Sequence, residues 1–202
     1  MTEAQNSFTN QQLDSQILLN HKLANLDFDN CSLQFFKAIN CIATNLNLDH
    51  CLAGFSYAGD CIIDHLKIDT IFFNSSNFND CTFNNLNAQL STFGSSTFQN
   101  CKFTKSKLSE TSFIGSMFYN CFFENEDYFF IRFPSATFIN TTFKNCRLKK
   151  VIFRAAKFHN CTFDNCTLAD AVFHRAKLVN TKFINTDLNQ AANLKAMKIK
   201  DE

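Results

Sequence analysis

Cys161 and Cys166 form a C-x4-C pair in the stretch NCTFDNC. Two thiols at short spacing suit soft-metal ligation, thiol–disulfide exchange or nucleophilic attack. Eight further cysteines accompany them, and two cysteines stand near histidines: His50 precedes Cys51, and His159 lies two residues before Cys161. A neighbouring imidazole is one way to activate a sulfur nucleophile. The chain carries no phosphate loop, no H-E-x-x-H and no G-x-S-x-G, so these thiols are the main candidates for chemistry. What they can do depends on the elements that hold them.

All ten cysteines obey one positional rule. Each stands at a residue number that leaves remainder one on division by five: 31, 41, 51, 61, 81, 101, 121, 146, 161 and 166. Two residues after each such position comes a repeat centre. Of the 37 centres from Phe8 to Leu188, 32 are Phe, Leu, Ile or Tyr, and the others are Ala38, Ala43, Ala53, Ala58 and Ala88. No insertion breaks the phase. A period of five is neither the helical 3.6 nor the strand 2. It directs two side chains per repeat inward and three outward.

This pattern of a small residue, a polar residue, Leu or Phe, then two polar residues resembles the pentapeptide-repeat family over about 180 residues. The resemblance implies a right-handed, four-sided β-helix with four repeats per turn. Columns at a spacing of 20 support that turn independently. Cys41, Cys61, Cys81, Cys101 and Cys121 continue to Thr141 and Cys161, and Ser56, Ser76, Ser96 and Ser116 give way to Ala136, Ala156 and Ala176. Positions 20 to 180 in steps of 20 are all Asn or Asp. Like residues stacked one coil apart can form hydrogen-bonded ladders.

The expected fold is therefore an all-β solenoid, a right-handed quadrilateral β-helix of about nine coils. At ~4.8 Å per layer the rod is roughly 44 Å long. Residues 1–7 are expected as a lead-in, 8–188 as the repeat body and 189–202 as a capping or dimerisation helix with a tail. Coil-to-coil bonds and Asn side chains would replace the turn residues of a chain with only 4 Gly and 1 Pro.

In that geometry the column Cys41, Cys61, Cys81, Cys101, Cys121 and Cys161 is a core column of packing thiols. Thiols stacked in a line do not encircle an ion tetrahedrally, and parallel side chains in adjacent layers give poor disulfide torsions. The expectation is no enzyme, no metal and no cofactor.

Three places depart from the rule. After Leu188 the pattern stops, and Leu188, Ala191 and Leu194 read as the apolar face of a short helix with Asp187 as its N-cap. That helix is expected either to pack on its own rod or to make a homodimer, as the resemblance implies for some relatives. At centres 43 and 58 the core looks underfilled, so Phe35 or Phe55 is expected to turn inward. At 122–136, Glu126 falls on an inward position, where a lone carboxylate is costly. A local bulge is expected there, with Phe122, Phe129 and Phe130 as a candidate aromatic patch or as side chains repacked around it.

Charge divides along the chain. Residues 1–100 carry nine acidic and three basic side chains, and residues 101–202 nine and sixteen. Arg154, Lys157, His174, Arg175 and Lys177 form a candidate basic corner near the C-terminal end. A protein-interaction module or scaffold is the leading reading. The resemblance also implies an alternative, a DNA-mimicking protector or inhibitor of DNA gyrase or topoisomerase IV, hence a type II topoisomerase as partner. A secreted bacterial effector, or nucleic-acid binding through the basic corner, is third. No run approaches the ~18 apolar residues of a membrane span. The N-terminal stretch lacks a signal-peptide pattern, and ten cysteines suit a reducing compartment, so a cytoplasmic location with no membrane partner is expected.

Overall fold

Every pentapeptide ends in a residue with left-handed backbone geometry. From Asn10 to Asn185, each fifth residue has φ between 48° and 66° in the computed structural model, which describes residues 7–192. For most L-residues this geometry costs roughly 1–2 kcal/mol, and Gly, Asn and Asp tolerate it best. Nineteen of these 36 positions are Asn or Asp, and one is Gly115. That is how a chain nearly free of Gly and Pro turns so often. The turn N–H groups donate one coil onward, as from Asn40 to the Gly59 carbonyl at 3.0 Å. The amide side chains form the expected ladder: Asn40 donates to Asn20 at 2.7 Å, Asn120 to Asn100 at 3.0 Å and Asn140 to Asn120 at 3.1 Å.

Four turns close one coil, and every pairing is parallel with a register of 20. Thr97–Gln99 lies beside Met117–Tyr119, with Phe98 opposite Phe118. Two faces are nine-stranded sheets, one running from Ile17–Leu19 to Lys177–Val179 and the other from Lys22–Ala24 to Lys182–Ile184. A third face holds four strands, Asn87–Gln89 to Arg147–Lys149. The fourth is joined by single bridges such as Thr92–Ser112–Arg132–Ile152. The molecule is an all-β, four-sided parallel solenoid, as the period predicts.

The core is a set of ring columns. Phe98, Phe118, Phe138 and Phe158 stack with successive centroids 4.8 Å apart, which is the strand spacing. Neighbouring columns meet edge to face, as Phe98 meets Phe103 at 5.6 Å. Both geometries suit the ring quadrupole. Each fully buried Phe contributes about 1.5–3 kcal/mol.

Three details differ from the sequence expectation. As far as residue 192, the C-terminal segment makes a single 3-10 turn, Leu188–Gln190, and no longer helix; residues 193–202 of the expected cap lie outside the described residues. Asp187 does cap it, accepting from the Asn189 N–H at 2.9 Å. The ladder recaptures the chain there: Ala192 donates to the Ala171 carbonyl at 2.7 Å, and Ala191 is buried beneath Ala171. Leu194 lies outside the described residues. Secondly, no bulge interrupts 122–136, because Lys107, Asp127 and Arg147 stay in continuous register. Thirdly, Phe35 and Phe55 face solvent and stack on each other at 5.3 Å. Both occupy left-handed turn positions, with φ of 58° and 59°, where the side chain is directed outward. The alanine-centred coils are therefore not refilled, and an apolar cavity of about 130 Å³ remains among them.

The turn rule predicts a stabilising substitution. Leu90 has φ 54° and is 55% exposed, so it bears the left-handed strain with little compensating burial. Leu90→Asn is expected to raise the unfolding free energy by about 1 kcal/mol in urea titration. A loss of stability would show that the turn is not limited by this strain.

Candidate functional site

The inward small residues act as hydrogen-bond donors to the coil before them. The Cys101 thiol donates to the Phe78 carbonyl at 3.2 Å and to the Gln99 carbonyl at 3.4 Å. Ser76 donates to Ala53 at 3.2 Å, Ser116 to Phe93 at 2.6 Å and Thr141 to Phe118 at 3.4 Å. Apart from Gln99, which lies two residues upstream, each of these acceptors lies 23 residues upstream, so the thiol and hydroxyl groups do the same job. Small size lets the side chain fit beside the ring column, and a donor caps a carbonyl that faces the core.

The structure places every candidate of the cysteine column inward. All ten cysteines are free and buried. Burial pushes the Cys161 thiol up to about 11 and the Cys51 thiol up to about 12. Cys146 is raised by its contact with the Cys166 thiol and by burial. Cys166 moves the other way because Cys146 donates towards it, but it is only 3% exposed and its own thiol donates to the Phe143 carbonyl at 3.4 Å. Neither histidine couples to a thiol. His50 is exposed and meets Asp29 at 2.8 Å. The Cys161 thiol donates to the His159 backbone carbonyl at 3.4 Å, not to its ring. Among the described residues, no group of three or more His, Cys, Asp or Glu side chains is arranged to hold a metal.

Among the described residues, Glu126 is the one carboxyl side chain buried at an inward position of the repeat. It is 1% exposed, and its Oε2 accepts from the Ser106 N–H at 3.2 Å. Its Oε1 and the Ser106 hydroxyl have no protein partner. Burial pushes the carboxyl up to about 8, so it enters the core protonated at neutral pH. Protonation, rather than a bulge, is what lets the coil stay regular.

The outer surface separates the other candidates. Arg154, Lys157, His174, Arg175 and Lys177 are all exposed, and Lys157 lies directly opposite Lys177 in the ladder. None of the five is among the ion pairs of the described residues, whereas Arg147 pairs with Asp127 and Lys102 with Glu124 at 3.8 Å. The aromatic patch divides. Phe129 and Phe130 are exposed, with centroids 6.3 Å apart, and the Lys150 ammonium stands 5.8 Å over the Phe129 ring. Phe122 looks out from a different face under the Lys102 ammonium at 5.8 Å. Leu188 and Ala191 pack on the last coil. The sequence reading missed the exposed Leu52 and Phe72, and it expected Phe35 or Phe55 to turn inward although both are exposed. Their outward phase in the five-residue period was the available signal.

The buried carboxyl sets a pH dependence. A folded pKa of about 8 lies above the ordinary value of 4.5, so the folded chain binds the proton more tightly than the unfolded one. Stability is then fully present below about pH 4.5 and falls as pH rises towards and through 8. Glu126→Gln should remove that slope, so that the wild-type chain loses stability relative to the variant across this window in paired urea titrations. Parallel curves for the two proteins would contradict the assignment.

A family model for pentapeptide repeats (8 copies) matches residues 96–125, and one for the SV2A/B/C luminal domain matches residues 130–201. No curated protein matches the chain. Among solved structures, the chain is similar to HetL, a pentapeptide repeat protein involved in heterocyst differentiation regulation from the cyanobacterium Nostoc sp., at 11% identity and TM-score 0.41, over 93% of this chain and 89% of that one. Full-length QnrB1, a plasmid-mediated fluoroquinolone resistance protein, aligns at 10% identity and TM-score 0.47 over 90% and 96% of the two chains. The Agl-KA catalytic domain aligns at 12% identity and TM-score 0.44 over 96% of this chain and 47% of that one. The stretch 96–125 thus matches the pentapeptide-repeat model, and the same five-residue phase and register of 20 run through the described residues on either side of it.

Proposed function

We propose that this protein is a non-enzymatic interaction rod that docks an acidic protein surface on the basic corner of its C-terminal half. The observation that carries this reading is the alignment of Lys157 against Lys177, flanked by Arg154, His174 and Arg175, with no carboxylate pairing them among the described residues. Like charges opposed across a ladder are destabilising. A surface that keeps them gains from a partner of opposite sign, which speeds association and fixes its register. Phe129 and Phe130 add exposed rings on an earlier coil, the residue type enriched in interface cores. The reading places the protein in a reducing, cytoplasmic setting, in keeping with ten free cysteines. No helix among the described residues is long and apolar enough to cross a membrane.

A second reading is a DNA mimic for a type II topoisomerase. It is favoured by the acidic N-terminal half, where Asp29, Asp49 and Asp69 stack on successive coils. Two of these already have side-chain partners, Asp29 in the His50 ring and Asp49 in the Lys67 ammonium. That partial neutralisation ranks this reading below the first.

Affinity capture on the wild-type chain and on Arg154→Glu/Arg175→Glu tests the proposal. The wild-type chain is expected to retain a specific acidic protein in nuclease-treated extract, and the variant to lose at least tenfold of it. Capture that is unaffected by charge reversal would refute the basic corner. Capture that requires nucleic acid would replace it with nucleic-acid binding, whose salt dependence is steep. Protection of gyrase supercoiling from ciprofloxacin that survives the charge reversal would favour the mimic instead.

A further inference from the structure

We propose that the alanine-centred coils of the N-terminal half form a binding cavity for a neutral, apolar molecule of about one aromatic ring's size. At most centres in the C-terminal half, a Phe or Leu fills the axis of the rod. At 38, 43, 53 and 58 the side chain shrinks to a methyl group, and neither Phe35 nor Phe55 turns in to replace the lost volume. The result is a cavity of about 130 Å³, bounded by Leu23, Ala43, Ala58, Ile63, Phe78 and their neighbours. Its wall differs from the rest of the core in packing. Ala38, Ala43, Phe36 and Ile63 keep accessible surface although they sit on inward positions, whereas Phe138, Phe143, Phe153 and Phe163 keep none.

The wall chemistry selects the ligand. Its lining side chains include no ionisable acid or base apart from thiols and one phenol, and its small polar groups are already engaged. The Ser56 hydroxyl donates to the Leu33 carbonyl at 3.0 Å, and the Cys41 and Cys61 thiols donate to the Ile39 and Gly59 carbonyls at 3.3 and 3.2 Å. Water needs two to four polar partners to be held in a cavity, and this wall offers it few. An engineered apolar cavity of about 150 Å³ in another protein stays dry and takes up benzene or xenon. A planar ring would also extend the stack that begins at Phe78 and Phe98, whose centroids are 4.8 Å apart, into the space above Ala58.

Benzene is the probe. In benzene-saturated buffer the wild-type chain is expected to show a Tm raised by a few degrees, together with saturation transfer from protein methyl groups to benzene in NMR. Ala58→Phe, which extends the Phe78 column, and Ala43→Leu, which returns bulk beneath Leu23, should each raise Tm without ligand and abolish both benzene responses. If one variant fails to fold, the other suffices. Absence of both responses in the wild-type chain would overturn the proposal. Benzene binding that persists in the filled variants would place the ligand elsewhere and overturn it equally.

Discussion

Everything in this molecule depends on a left-handed turn at every fifth residue. Because the turn recurs without a slip from Asn10 to Asn185, each coil closes after 20 residues and each residue meets the one 20 positions away in the next layer. That single constraint generates the Phe columns, the Asn ladder and the row of inward donors. It also explains how non-ideal residues are tolerated at turns. Thr70, Leu90 and Phe130 are held left-handed by coils above and below that already fix the geometry. In a solenoid each layer contacts only its neighbours, so such strain stays local.

The same constraint removes chemistry from the residues that look reactive. An inward donor beside a ring column is useful to the fold whether it is Cys, Ser or Thr, since each caps a core-facing carbonyl. The thiols are buried, and where burial dominates, their ionisation is pushed well above neutrality. Reactive cysteines have the opposite setting, partly exposed and near positive charge. The C-x4-C spacing of Cys161 and Cys166 is thus one step of the repeat. Cys161 continues one column, and Cys166 rests on Cys146 in the next.

Much of this was legible in the sequence because a five-residue period is written redundantly, in centres, donors and turns. The columns at 41–161 and 56–176 even specify the number of sides. What was not legible came from places where two local demands compete. The segment after Asp187 has helical periodicity, yet the open ladder edge at Ala171 offers hydrogen bonds that hold Ala192 in the coil. Glu126 looked like a reason to bulge, because the sequence does not display its protonation state; burial decides that. Phe35 and Phe55 looked able to refill small centres, but the turn geometry directs them outward. The surface was the least legible part. Outward positions are not dictated by the repeat, so the basic corner is visible in the sequence only as charge.

The central claim is that the repeat, and not the chemistry of sulfur, determines where the cysteines sit. Thiol titration of the native chain with a colorimetric disulfide reagent tests it directly. The account predicts no fast-reacting thiol in the folded protein, Cys166 included, and ten reactive thiols once it is unfolded under metal-free conditions. Rapid labelling of Cys161 or Cys166 in the folded state, or fewer than ten thiols after unfolding, would contradict it.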